Sequence, residues 1–156
     1  MPTGQILFSD GTSQLWVYTP DGAPEPAWLP VFADVKYSGA GVFILHGVRM
    51  NGPSAGSAYG DDVESDENYP IVRLEDAVGH VFYARTQNWS STLVGTRVAS
   101  ETVEFTLQPG MSPGNYSVVV IGAGISSRSR CMSITAEQIQ GLGSGSNKAI
   151  TCGGSH

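Results

Sequence analysis

Apolar and polar residues alternate along most of this chain, in short runs that are typical of β-strands with one buried face. Turn-forming clusters such as NGPSAGS, DAVG and QPGMSPGN separate these runs. About seven strands at this spacing predict an all-β fold, a two-sheet antiparallel sandwich. The predicted strands are VFADVKY, GVFILHGV, YPIVRLED, HVFYART, TVEFTLQ, YSVVVIG and a weaker one near RCMSIT.

Two further apolar runs, GQILFS and QLWVYT, lie before the sandwich and are joined by DGTS, a hairpin turn signal. The segment PDGAPEPAWLP then carries four prolines and predicts a stiff, extended connector. An isolated hairpin with this much apolar surface is not expected to stay in water. We therefore expect the arm to dock on a protein partner, on a second copy or on its own body. The predicted interface residues are Phe8, Trp16, Tyr18 and Trp28.

Helical signals are nearly absent from the chain. In TAEQIQG, Thr135 and Gln138 have capping-box spacing, and Gly141 can end a single turn. The tail that follows, GLGSGSNKAITCGGSH, is rich in glycine and serine, and we expect it to be mobile unless a partner or a disulfide orders it. The chain thus divides into an arm with its connector (1–30), a sandwich (31–133) and a helical turn with the tail (134–156).

The stretch NYSVVVIGAGISSRS looks at first like the start of a dinucleotide-binding fold, in which an apolar strand leads into a glycine-rich turn. Gly122 and Gly124 occupy the first two glycine positions, but the third is Ser127, and no apolar helix stripe follows. The chain upstream also lacks the alternation of helices and strands that such a fold needs. We expect a buried strand from Tyr116 to Ile121 that ends in a glycine bend, with Ser126 and Ser127 solvated beyond it.

The charge balance excludes several partners. Charged residues are 14% of the chain, with two lysines and six arginines against fourteen acids, which gives a net charge of −6. Nucleic acids and anionic membranes bind positive surfaces, so neither is an expected partner. No apolar run approaches the roughly 18 residues of a membrane span, and no secretory signal is visible at the N-terminus.

The segments NYPIVRL, GHVFYARTQNWS and TVEFTLQPGMSPGNYSVVVIGAGISS resemble the immunoglobulin-like early-set domain that follows the propeller in galactose-oxidase-like and kelch-type proteins. PTGQILFSDGTSQLWVYTP is similar to the strands that finish the last propeller blade, so the resemblance spans roughly residues 2 to 130. It implies an immunoglobulin-like sandwich. The oxidases place a copper-binding histidine in the turn that here reads Arg85-Thr86-Gln87-Asn88, and the propeller that supplies the other ligands is not in this chain. Oxidase chemistry is therefore not expected.

The richest group of polar residues is the acidic loop YGDDVESDENYP. Clustered carboxylate oxygens are the ligands that calcium prefers, although the spacing is not that of an EF-hand. The alternative is a solvated acidic loop. The candidate calcium ligands are Asp61, Asp62, Glu64 and Asp66.

The two cysteines, Cys131 and Cys152, have no zinc-site spacing; they either form a disulfide or remain two free thiols. Exposed aromatic rings could stack on sugars, which makes a carbohydrate a candidate ligand. The aromatic residues considered are Trp16, Trp28, Trp89, Tyr59 and Tyr83.

No catalytic constellation is found: there is no G-x-S-x-G motif, and no histidine is seen with an acid at useful spacing. His46 and His80 lie beside apolar strand residues, as structural histidines do. We therefore expect a non-enzymatic structural or interaction module with no required cofactor. The expected setting is a surface assembly such as a virion decoration protein or an extracellular filament. A carbohydrate-binding accessory domain is the alternative.

Overall fold

The computed structural model describes residues 5–54, 69–94 and 98–152. These residues form ten strands, one short helix and one 3₁₀ turn, Pro26–Trp28. The strands and helix are β1 Ile6–Ser9, β2 Leu15–Tyr18, β3 Val31–Gly39, β4 Val42–Val48, β5 Ile71–Glu75, β6 Val81–Gln87, β7 Glu101–Thr106, β8 Gly114–Gly122, β9 Ile125–Ser126, β10 Arg130–Ile134 and α1 Ala136–Ile139.

Strands β3 to β8 and β10 form an antiparallel β-sandwich, as the alternating pattern predicts. One sheet contains β3, β4 and β7, and the other contains β10, β8, β5 and β6. Strand β6 passes from one sheet to the other: Val81–Arg85 pair with β5, whereas Thr86 and Gln87 pair with β7. All seven predicted strands are present, and the short β9 is an addition that the alternating pattern does not reveal.

The core lies between the inward faces of the two sheets. On β4 and β5 every second residue is buried, which is the burial that period-two alternation predicts. Phe43 stacks on Phe105 with ring centroids 5.4 Å apart, and Tyr37 packs on Phe43 at 5.1 Å. The second sheet contributes mainly aliphatic residues: Val72, Leu74, Val118, Val120, Met132 and Ile134.

A tyrosine fixes the corner at which the chain enters β8. Tyr116 is buried, and its hydroxyl donates to the carbonyl of Ser112 at 2.6 Å and accepts from the backbone N–H of Ser112 at 3.2 Å. A tyrosine that bonds backbone just upstream of this strand is a recurring feature of immunoglobulin-like sandwiches, the tyrosine corner. The ring also packs edge-on against Phe82.

The C-terminal tail is ordered against the edge of β3. The backbone N–H of Ser146 donates to the carbonyl of Tyr37, and that of Ile150 donates to the carbonyl of Val35, both at 2.8 Å. Beyond these bonds, Cys152 forms a disulfide with Cys131 of β10. The tail therefore spans the gap between the two ends of the strand path. Of the two alternatives left open by the sequence, the structure has the disulfide-ordered tail.

Helix α1 has the predicted capping box. The hydroxyl of Thr135 accepts from the backbone N–H of Gln138, while the side chain of Gln138 accepts from the backbone N–H of Thr135. The helix ends within one turn, and Gly141 follows with a positive φ of 70°. This local motif was readable from sequence because both partners lie three residues apart.

Candidate interaction surface

The N-terminal arm is a hairpin with two apolar faces. Strands β1 and β2 pair in the register Ile6–Tyr18, Leu7–Val17, Phe8–Trp16 and Ser9–Leu15. Cross-strand partners share a face of a hairpin, and neighbours along a strand do not. One side, here named the aromatic face, therefore consists of Ile6, Phe8, Trp16 and Tyr18. The other, the aliphatic face, consists of Leu7, Leu15 and Val17, with Ser9 as its polar member.

Both faces lie open in the isolated chain. The predicted interface residues are exposed by 48% at Phe8, 44% at Trp16, 53% at Tyr18 and 42% at Trp28. The aliphatic face is exposed to a similar extent. A hairpin folded back on its own sandwich would have covered one face, and this is not what the structure contains. A two-stranded ribbon is at best marginally stable in water unless another layer of protein packs on it.

Polar contacts close the hairpin at both ends. At the turn, the carboxylate of Asp10 accepts from the hydroxyl of Thr12 at 2.7 Å and from its backbone N–H at 3.0 Å. The hydroxyl bond, followed by the backbone bond, lowers the pKa of Asp10 below its ordinary value of 3.8. At the open end, the side-chain amide of Gln5 donates to the hydroxyl of Thr19 at 3.0 Å. These bonds hold the two strands in one register.

The connector is attached to the sandwich at a defined point. The guanidinium of Arg49, after β4, donates to the carbonyl of Ala27 in the 3₁₀ turn. Residues of the connector, the base of the arm and the β8–β9 turn line an open groove of about 700 Å³. Trp28 and Leu29 of the connector line this groove together with Ala123 and Ile125 of the β8–β9 hairpin. The arm thus leaves the sandwich beside the end of β8.

The glycines of VVVIGAGISS form the tight turn at this end of β8. Gly122 pairs with Ile125, so Ala123 and Gly124 form a two-residue loop with φ values of 49° and 79°. Positive φ at both central residues is the requirement of a type I′ hairpin turn. A side chain at Gly122 would meet the carbonyl oxygen of Met50. The predicted strand with a glycine bend is confirmed, and the turn leads into a second strand.

The expectation for Ser127 is wrong. Ser126 is exposed, but Ser127 is buried, with 8% of its surface accessible. Its hydroxyl accepts from the backbone N–H of Val120 at 2.9 Å and donates to the carbonyl of Arg128. Ser127 thereby bonds Val120 between the part of β8 that pairs with β10 and the part that pairs with β9.

Two histidines have acidic partners that the sequence analysis missed. His46 Nδ1 lies 2.7 Å from Asp34 Oδ1 across β3 and β4, and His80 Nδ1 lies 2.9 Å from Asp76 Oδ2. Strand pairing brings the first pair together, whereas the second could have been found from its spacing of four residues. Catalysis by such a pair requires a nucleophile or a bound substrate beside the imidazole. Within the described part of the chain, neither ring has a hydroxyl or thiol as a hydrogen-bond partner.

The predicted calcium ligands Asp61, Asp62, Glu64 and Asp66 lie outside the described residues, as does Tyr59. Among residues 5–54, 69–94 and 98–152, no group of three or more histidine, cysteine, aspartate or glutamate side chains is placed to hold a metal ion. The calcium hypothesis remains a prediction.

The aromatic residues divide into exposed and packed rings. Trp89 is packed: its ring lies 5.8 Å from that of Tyr69, and its indole N–H donates to the hydroxyl of Thr86 at 2.8 Å. Trp16 and Tyr18 are two residues apart on β2, and Phe8 lies opposite Trp16 on the same face. This i, i+2 spacing is visible in the sequence, and the aromatic face that results presents three exposed rings.

The candidate interaction surface is an exposed arm that leaves a disulfide-closed sandwich beside the end of β8. None of the helices in the described residues is long and apolar enough to cross a membrane. No family model, curated protein or solved structure matches the chain.

Proposed function

We propose that this protein is a non-enzymatic structural module whose N-terminal arm binds a protein surface, either a second copy or another subunit of an assembly. The observation that carries this proposal is the exposure of seven large apolar side chains on both faces of the arm. Contiguous apolar surface of this kind marks interaction sites in soluble proteins. A ribbon with two apolar faces is suited to lie between two layers of protein.

The setting we propose is a surface assembly outside the reducing cytoplasm, such as a virion decoration layer or an extracellular filament. Disulfides persist in oxidising environments, and the Cys131–Cys152 bridge fits such a setting. The bridge ties the tail to β10 while the tail bonds β3, which restrains the sandwich independently of the arm. A subunit of a repeating surface needs a stable body and a segment that binds its neighbours. The disulfide-closed sandwich and the exposed arm fit these two roles.

The test compares the association of three forms of the protein by sedimentation velocity and light scattering. These are the full chain, a version starting at Pro30, and the full chain with Trp16→Ser and Leu15→Ser. Replacement of Val98, which is 83% exposed on a loop of the sandwich, by serine is the matched control. We expect association, alone or with the cognate assembly, to require the arm and to tolerate the control. Well-behaved monomers of equal stability in every form, with no binding to the assembly, would contradict the proposal.

A carbohydrate-binding accessory domain is the second candidate, and the aromatic face favours it. Phe8, Trp16 and Tyr18 present adjacent rings on one side of the hairpin, the arrangement on which apolar sugar faces stack. The resemblance to the sandwich of kelch-type propeller proteins points the same way. Titration with oligosaccharides while the tryptophan fluorescence of the protein is followed separates the two candidates. A saturable change that Tyr18→Ser abolishes, without any protein association, would favour the sugar-binding candidate.

A further inference from the structure

The edge of β6 in the sandwich is not covered by any described strand along most of its length. The edge of β3 is bonded by the tail, through the N–H groups of Ser146 and Ile150. The edge of β10 lies next to the same tail, because Cys131 is joined to Cys152. On β6, only Thr86 and Gln87 pair with β7. Along Val81–Arg85, therefore, no described strand pairs with β6 on the side away from β5.

This open edge carries exposed apolar side chains. Val81 and Tyr83 point outward from β6 and are 39% and 44% exposed, and Val78 in the preceding turn is 78% exposed. Sandwich proteins usually protect such an edge with a lysine, a proline or a bulge. The segment Val81–Arg85 has a single charged residue, Arg85 at its end, contains no lysine or proline, and pairs with β5 without a bulge. The edge is thus a template for strand addition.

The arm and this edge have complementary charge. Residues 5–30 contain Asp10, Asp21 and Glu25 and no lysine, arginine or histidine. On the outer side of the β5–β6 pair, Arg73 is paired with Glu75 at 2.6 Å. Arg85 lies over the ring of Tyr69, at 5.2 Å, and has no carboxylate partner among the described residues. An acidic arm that approaches this side meets a guanidinium that has no carboxylate partner in the part of the chain that the structure describes.

We propose that the arm of one copy adds to the β6 edge of a second copy, so that the chain assembles head to tail. This inference rests on the proposed function, since it names the partner of the same arm. Both strands of the arm are four residues long, and the open segment of β6 is five residues long, so the ladders match in length. Strand addition supplies backbone hydrogen bonds, and the alternate side chains supply apolar contact with Val81 and Tyr83.

The surface of the arm is large enough for such an interface. Seven side chains at about half exposure offer about 700 Å², if a large side chain presents roughly 200 Å² when fully exposed. A standard protein interface buries about 800 Å² on each partner. The arm, with the adjoining part of the connector, therefore meets the size of a stable interface.

The donor and acceptor surfaces are different parts of the molecule, so each copy can use both at once. Such heterologous contacts generate a closed ring or an open filament instead of a symmetric pair. This geometry gives a test by complementation. A chain with a damaged arm still offers its edge, and a chain with a damaged edge still offers its arm.

The experiment uses two full-length variants, an arm variant (Leu15→Ser with Trp16→Ser) and an edge variant (Val81→Lys with Tyr83→Lys), and Val98→Lys as the control. All five positions are exposed, so unchanged melting curves verify that each variant is folded. The expected result is that the unmodified chain and the control form rings or filaments and that each variant alone is monomeric. An equimolar mixture of the two variants should stop at a heterodimer, twice the 16.4 kDa of one chain.

Three results would overturn the inference. If the edge variant assembles like the unmodified chain while the arm variant does not, the acceptor lies elsewhere and only the proposed function survives. If the unmodified chain stays monomeric at high concentration, the partner of the arm is not a second copy. Assembly of the arm variant at the same concentration as the unmodified chain would overturn the proposed function as well.

Discussion

The hydroxyl of Tyr116 donates to the carbonyl oxygen of Ser112 over 2.6 Å and accepts from the backbone N–H of the same residue over 3.2 Å. The Tyr116 hydroxyl thus acts as both donor and acceptor for the backbone at the corner between β7 and β8. The corner decides where β8 enters the sheet, and β8 in turn lies between β5 and β10.

Tyr116→Phe removes these two bonds and keeps the ring, which packs on Phe82. Because Ser112 is exposed and can bond water instead, we expect a loss of about 1 kcal/mol in the free energy of unfolding. Urea denaturation measures this loss. Tyr18→Phe, on the exposed arm, is the matched control and should leave the midpoint unchanged. Equal midpoints for all three proteins would show that the corner is fixed by packing alone.

Cys131→Ser with Cys152→Ser opens the loop closed by the disulfide, which spans 21 residues in sequence. A cross-link over a loop of this length contributes about 3 kcal/mol by constraining the unfolded chain. We also expect the tail to leave β3, so the amides of Ser146 and Ile150 should lose protection in hydrogen exchange. Amides of β4, such as that of Leu45, serve as an internal reference. Protected tail amides in the double variant would mean that the backbone bonds suffice without the bridge.

The two residues of the β8–β9 turn should respond to substitution in opposite directions. Gly124→Ala places a Cβ at φ 79°, where it clashes with the following carbonyl, and we expect a loss of about 1 kcal/mol. Ala123→Gly removes the same penalty at φ 49° and should stabilise the fold by less than about 1 kcal/mol. Thermal unfolding of the two single variants tests the pair. If both changes shift the melting temperature the same way, the turn does not have this conformation in solution.

The acidic loop offers a metal-dependent prediction that stands on the sequence. If Asp61, Asp62, Glu64 and Asp66 hold calcium, millimolar calcium should raise the melting temperature and a chelator should lower it, because a ligand stabilises the state that binds it. Asp62→Asn with Asp66→Asn should remove most of the response. Asp21→Asn with Glu25→Gln is a control of equal charge change in the connector. If calcium does not change the melting curve, a solvated acidic loop is the remaining interpretation.

Features set by neighbouring residues were predictable from the sequence. Period-two alternation located the strands, and in β8 it placed Val118 and Val120 in the core, because alternate side chains of a strand point to opposite faces. The capping box at Thr135 was predictable because its partner, Gln138, lies only three residues away in the sequence. The apolar composition of the arm predicted that the arm packs on a neighbouring subunit or on its own body, and the docking on a partner stays a prediction.

Only the tertiary structure decided the features that join distant residues. Strand register brings Asp34 to His46, and the exit of the chain from β8 buries Ser127. The tail bonds the edge of β3 and is joined to β10 by the disulfide, whereas along Val81–Arg85 no described strand pairs with β6 on the side away from β5. No local pattern in the sequence encodes this distribution. Hydrophobic periodicity states which side of a strand is buried. Which strands become neighbours depends on contacts between residues far apart in the chain, and it is this arrangement that fixes where a partner can bind.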